Sequence, residues 1–185
     1  VSLGLVLAVG YALGWLPMFV LRVETMSDGM RVYRRGERLA VLLAPAILSL
    51  HVTIACVLLS VSPAPSPWRL GLAAACFGSA LAFWLWGRAQ IGPPRVKRPP
   101  GAAPLAFRQD GAFGIVRHPL YASYLLAALA PLVARDDFVL LPTFAGCLAI
   151  LAVRAVQEER RLRQQLGAAY DEYGRRVKRV IPFVW

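Results

Sequence analysis

The chain has 185 residues, of which 58% are hydrophobic and 17% charged, and its mean hydropathy is +0.55. A soluble domain carries roughly 45–50% apolar and about 25% charged residues, so a water-soluble globular protein, an intrinsically disordered chain and a secreted disulfide scaffold are all excluded. A formal net charge of +11 would suggest nucleic acid in a soluble protein, and its meaning here depends on where the charges lie.

The apolar residues fall in five blocks, at residues 1–21, 39–61, 68–87, 119–134 and 138–153. Each reads as a membrane-spanning helix. The expected fold is therefore all-α: a polytopic helical bundle of about five transmembrane helices with a cytoplasmic helical extension after the last. One integral membrane domain accounts for the whole chain, with three spans in residues 1–87 and a loop, a short hairpin and a final helix in residues 88–185. The first block lacks a basic leader and its polar neighbours follow it, so it reads as a retained helix rather than a signal peptide.

His51 lies mid-block between Leu50 and Val52, where a hydrogen bond to a neighbouring helix is expected, with a contact to substrate the alternative. Cys56, Cys76 and Cys147 sit within apolar blocks at spacings that form no metal motif. They read as small buried hydrophobes, with no structural disulfide and no metal site. The last two blocks have 16 residues each, about 24 Å of helix against a hydrocarbon core of roughly 30 Å. They read as a short hairpin turning at Arg135-Asp136-Asp137.

Five basic residues lie in segment 22–38, six in 88–118 and eight in 154–185, while the other side holds only Arg69, at the start of the third block, and Arg135. Nineteen of 21 thus fall on one side of a five-span arrangement. By the positive-inside rule that side is cytoplasmic and the start of the chain is outside. The charge is then a topology signal, with anionic lipid a secondary attraction and no nucleic-acid partner expected.

Two segments concentrate polar chemistry. After a Pro and Arg-rich run at 92–101 that cannot be helical, the chain reads Arg117-His118-Pro119-Leu120-Tyr121. Pro119 suits the first turn of a helix and keeps His118 out of the α region, so the fourth span is expected to start there. Arg117 and His118 then stand at a helix N-terminus, whose unpaired N–H groups suit a carboxylate or phosphate, or else serve as an interfacial basic anchor. The second segment follows the fifth block without an evident breaker, so one continuous rod is expected through Tyr173. On it Arg154 and Glu158 are four residues apart and share a face, while Leu162, Leu166, Tyr170 and Tyr173 form a neighbouring stripe expected to pack on the basic loop. A solvated i,i+4 ion pair is the ordinary reading of Arg154 and Glu158; against it, an arginine directly behind sixteen apolar residues is costly to keep and so points to function.

In this order, and after three apolar blocks, these residues resemble the isoprenylcysteine carboxyl methyltransferase and phospholipid methyltransferase family of integral membrane enzymes. The elements that match are Gly111 and Phe113, the Arg117 to Tyr121 run, a short hydrophobic hairpin, Arg154 with Glu158-Glu159 and Leu162, Gly167 with Tyr170 and Tyr173, and Ile181-Pro182-Phe183. The match covers about residues 87–183. Phe113 stands where members usually have Tyr, which keeps the ring and removes a hydroxyl.

The resemblance implies methyl transfer from S-adenosyl-L-methionine, bound on the cytoplasmic face, to an acceptor reached from the lipid. It assigns cofactor contacts to Phe113, His118, Pro119, Leu120, Tyr121 and Glu158, and places Arg154 beside the acceptor. The chemistry agrees: a helix N-terminus suits the methionine carboxylate, a glutamate suits cationic or hydroxyl groups, and aromatic rings suit adenine and sulfonium. A carboxylate acceptor oriented by Arg154 needs no base; an amine, hydroxyl or thiol does, and Glu159 is the nearest residue without another role. Partners implied are membrane lipids and a lipophilic small-molecule or lipidated substrate. Nineteen Arg against two Lys, with short loops, point to a bacterial inner-membrane protein and so to small lipids or isoprenoid acids. The alternatives are a membrane NADPH-dependent reductase of the sterol-reductase type and a non-catalytic membrane scaffold.

Overall fold

A backbone group buried in lipid finds no water to bond, so apolar stretches of this length fold as helices that satisfy their own N–H and C=O groups. The structure, a computed structural model, describes residues 2–29, 35–91, 108–135 and 137–182. The Pro and Arg-rich run, Asp136 and Phe183 lie outside these residues. Among the described residues the helices are α1 (Leu3–Gly29), α2 (Arg35–Val61), α3 (Pro67–Ile91), α4 (Ala112–Ile115), α5 (Pro119–Ala134), α6 (Leu140–Leu166) and α7 (Ala168–Arg176). Extended pairing within them is limited to one isolated parallel bridge between Val116 and Lys178.

Three of these helices are long and apolar enough to cross a membrane: Arg38–Val61 within α2, α3 and α6. Their most apolar windows are only 28%, 22% and 33% buried within the protein, so most of that apolar surface faces outward. Side chains such as Leu5, Leu13, Leu42, Leu72 and Leu85 are about half exposed or more, as lipid-facing positions are. The apolar parts of α1 (Leu3–Met18) and α5 (Pro119–Ala134) are shorter.

α3 packs chiefly on α5, α2 on α6 and α1, and α5 on α6. Directional contacts fix these pairings where apolar burial gives little register. His51 bridges three helices, its Nε2 donating to the Ala128 carbonyl of α5 at 2.9 Å and its Nδ1 pairing with the Thr143 hydroxyl of α6 at 2.8 Å. Tyr11 and Tyr124 donate to the carbonyls of Ala127 and Met18, and Trp15 stacks on Tyr124 at 5.9 Å between ring centres, which ties α1 to α5. All three cysteines are free.

The hairpin turn is closed by Arg135, whose guanidinium reaches Asp137 at 2.9 Å and the Pro63 carbonyl at 2.7 Å. Beyond it α6 runs unbroken past Arg154, so the fifth apolar block is the first half of a 27-residue helix. The expected rod through Tyr173 does not form. It stops at Leu166 because Gly167 adopts φ +58°, a conformation that ends the helix and starts α7 in a new direction. Leu162 and Leu166 therefore do not share a continuous stripe with Tyr170 and Tyr173. The two tyrosines are brought back by the turn and buried, with edge-to-face rings 5.8 Å apart.

Candidate functional site

The lead-in to α5 is pinned from two sides. Gly111 has φ +58°, and the Gln90 side chain of α3 fills the space where a Cβ would stand while its carbonyl accepts the Ala112 N–H at 3.0 Å. From the other side the Tyr173 hydroxyl of α7 donates to the Phe113 carbonyl at 2.6 Å. Phe113 itself is half-buried on this turn. Pro119, at the first position of α5, and Leu120 lie over Gly87 of α3, so these side chains serve helix packing.

At the junction of α5 and α6 five of the candidate residues converge. Arg154 is 3% exposed and its Nη2 donates to Glu158 Oε1 at 2.9 Å. The Tyr121 hydroxyl donates to the same oxygen. His118 stacks on Tyr121, with ring centres 5.4 Å apart and planes 6° from parallel, which places His118 Nδ1 3.6 Å from Glu158 Oε2. The opposite ring nitrogen lies 3.5 Å from Glu159 Oε1. Both contacts are longer than good hydrogen bonds and act as charge contacts.

Consecutive helical residues point about 100° apart, and this separates the fates of two adjacent glutamates. The Glu158 side chain is 32% exposed, that of Glu159 only 2%. Glu159 Oε1 is held by Arg117 at 2.8 and 2.9 Å, and Oε2 by Arg179 at 3.0 Å. Burial alone would favour the neutral imidazole of His118, but the carboxylates of Glu158 and Glu159 outweigh it and raise its pKa above the ordinary histidine value.

Glu158 is thus a carboxylate with an open side, a fit for a cationic or hydroxyl group of a ligand. Glu159 is closed in by two guanidinium groups, an arrangement that favours holding over accepting a proton from an acceptor. At the start of α5 the His118 N–H goes to the Arg179 carbonyl at 2.9 Å, Pro119 has none, and those of Tyr121 and Ala122 go to the His118 carbonyl. The anion site expected at this helix end therefore narrows to Leu120. Among the described residues no group of three or more His, Cys, Asp or Glu side chains is arranged to hold a metal ion.

Residues 177–182 are a part of the site that spacing does not reveal. They form a strap across the entry to α5: Val116 pairs with Lys178, the Arg117 N–H donates to the Lys178 carbonyl at 2.7 Å, and Val180 is buried. Beyond the Ile181-Pro182 element of the resemblance the signal is chemical, since a buried carboxylate such as that of Glu159 demands a cation. Its i+4 neighbour Arg163 is the natural guess, yet that contact is 4.0 Å with a half-exposed side chain, and the close partners come from 42 and 20 residues away. No protein-family model and no solved structure matches this chain.

Proposed function

We propose that this chain is an S-adenosyl-L-methionine-dependent methyltransferase that acts on a lipophilic acceptor at a membrane. The observation that carries it is the convergence of His118, Tyr121, Arg154 and Glu158, from two segments far apart in sequence, around one partly exposed carboxylate. Two of these contacts follow from helical spacing, Arg154 with Glu158 and His118 with Tyr121, but the meeting of the two pairs is tertiary and supports the resemblance seen in the sequence. In this assignment α1 and α5 also cross the membrane, giving five spans, and the cluster faces the cytoplasm.

Glu158 and Tyr121 hold the hydroxyl or ammonium part of the cofactor, with the Leu120 N–H the one remaining helix-end donor for its carboxylate. Bound there, S-adenosylmethionine supplies an electrophilic methyl on a sulfonium leaving group. The protein then has little covalent work to do. Arg154 stands where α6 leaves its apolar stretch, so it orients the acceptor, and the buried Tyr121 and Tyr124 rings keep water from the apolar side.

The test is thermal stabilisation of the full chain in detergent by S-adenosylhomocysteine, since a ligand that binds only the folded state raises its stability by mass action. A saturable rise supports the proposal. A rise with NADPH alone would replace it with the reductase, and no rise with either ligand would leave a non-catalytic scaffold. The topology is tested separately by a reporter fused after residue 185, expected to be active only on the cytoplasmic side.

A further inference from the structure

Glu159 is among the largest fully buried side chains, and it is charged. Such a group is retained at a cost unless its partners do something with it. Its two close guanidinium partners, Arg117 and Arg179, both hold the strap. Arg117 reaches Glu159 with Nε and Nη2, and with Nη1 it donates to the carbonyls of Gly174 and Val177 at 2.6 and 2.7 Å. Arg179, on the strap, reaches Glu159 from the far side and gives its own carbonyl to the His118 N–H. One carboxylate therefore closes a loop of contacts from α6 through Arg117 to the end of α7, along the strap through Arg179, and back to α6.

His118 is inside that loop. Its backbone is held by the strap, and its ring is set between Glu158 and Glu159 against Tyr121. We propose that Glu159 is a positioning residue: it latches residues 177–182 onto Arg117 and so sets the place of the His118 ring beside Glu158. Its role in ligand binding, through Glu158, rests on the methyltransferase assignment; the latch itself does not.

The latch has two readouts that need no ligand. The first is hydrogen exchange of segments 116–121 and 177–182 in the detergent-solubilised full chain. Glu159→Gln keeps the shape and removes the charge, and losing charged hydrogen bonds of this kind makes local opening about tenfold easier or more. Exchange in both segments is expected to quicken by that factor while α2 and α3 stay as they are.

The second is histidine ring NMR, which is simple here because the chain has two histidines. His51 is fully buried, bonded at both nitrogens and remote in sequence, and acts as the internal reference. His118 faces Glu158 and Glu159 on α6 and Tyr121 on α5; the groups around those two carboxylates are Arg154 and Arg163 on α6, Arg117 before α5, Arg179 on the strap and, near Glu159, Tyr170 and Tyr173 on α7. Of these only Glu159 changes, so the His118 midpoint is expected to fall in Glu159→Gln, a shift that loosened packing without a charge contact would not give.

Arg179→Gln removes the latch from the strap side and leaves the Arg117 to Glu159 pair, so it decides the matter if Glu159→Gln does not fold. It is expected to speed exchange in the same two segments. Unchanged exchange there in either variant overturns the proposal, as does an unmoved His118 midpoint in Glu159→Gln. With both readouts as expected, S-adenosylhomocysteine affinity should also fall in Glu159→Gln. Absence of binding to the unmodified chain would instead remove the methyltransferase assignment and leave the latch standing.

Discussion

His51 and His118 are buried to nearly the same degree, 0% and 8% exposed, in two regions with opposite chemistry. His51 sits among three apolar helices, and a threonine hydroxyl and a backbone carbonyl satisfy both ring nitrogens. His118 sits at a helix end between two carboxylates, within reach of a cluster that Arg117, Arg154 and Arg179 complete. A buried histidine closed by neutral partners holds helices together. One flanked by two carboxylates, one of them partly exposed, has its proton affinity set by those charges.

The sharpest way to break this contrast is at Arg154. Under the proposed methyltransferase assignment, removing its guanidinium takes away the acceptor's orienting charge while Glu158 and Tyr121 remain for the cofactor. Arg154→Ala is therefore expected to lower turnover by about 10²–10³, the scale of losing one positioned charged donor, with S-adenosylhomocysteine binding little changed by calorimetry. Arg154→Lys should recover little if the guanidinium grips a carboxylate as a fork, and more if only charge is wanted. Full activity in Arg154→Ala would reduce the residue to a structural partner of Glu158.

Glu158→Gln acts on the other half of the cluster. Replacing a charged acceptor by a neutral one is expected to raise the S-adenosylhomocysteine dissociation constant by about tenfold to a hundredfold. An unaltered constant would put the cofactor elsewhere.

The electrostatic half of the contrast has a pH signature. Because His118 titrates above its unfolded value, its protonation stabilises the folded chain fully below about pH 6.5, and that contribution is lost as pH rises through the folded value. The melting temperature in detergent is expected to fall over that rise, and His118→Gln should flatten this component. The smallest effect belongs to the neutral region. His51→Leu is expected to cost about 1 kcal/mol, in line with single hydrogen bonds between membrane helices, because Thr143 keeps its bond to the Leu140 carbonyl at 3.0 Å. Denaturant unfolding measures this, and S-adenosylhomocysteine affinity should not move.

Local chemistry made part of this legible in sequence. Pro119 starts α5 because proline suits a first helical turn, His51 finds neighbouring helices because a polar ring in an apolar block must, and Arg154 meets Glu158 because four residues make one helical turn. Gly167 is a case where a local signal was present and outweighed by the periodicity around it: the rod that the pattern favours is cut by one residue able to take a positive φ.

Chain order and composition determined by themselves the all-helical class with helices apolar enough to cross a membrane, the start of α5 and the pairing of Arg154 with Glu158, since each follows from hydropathy or from contacts within one helix. Only the tertiary structure decided that Glu158 stays open while Glu159 closes on Arg117 and Arg179, and that residues 177–182 cap the end of α5. The physical reason is that two adjacent carboxylates are equivalent in sequence. What distinguishes them is which cations the fold delivers to each from 20 and 42 residues away, and a buried charge takes its partner from wherever the fold brings one.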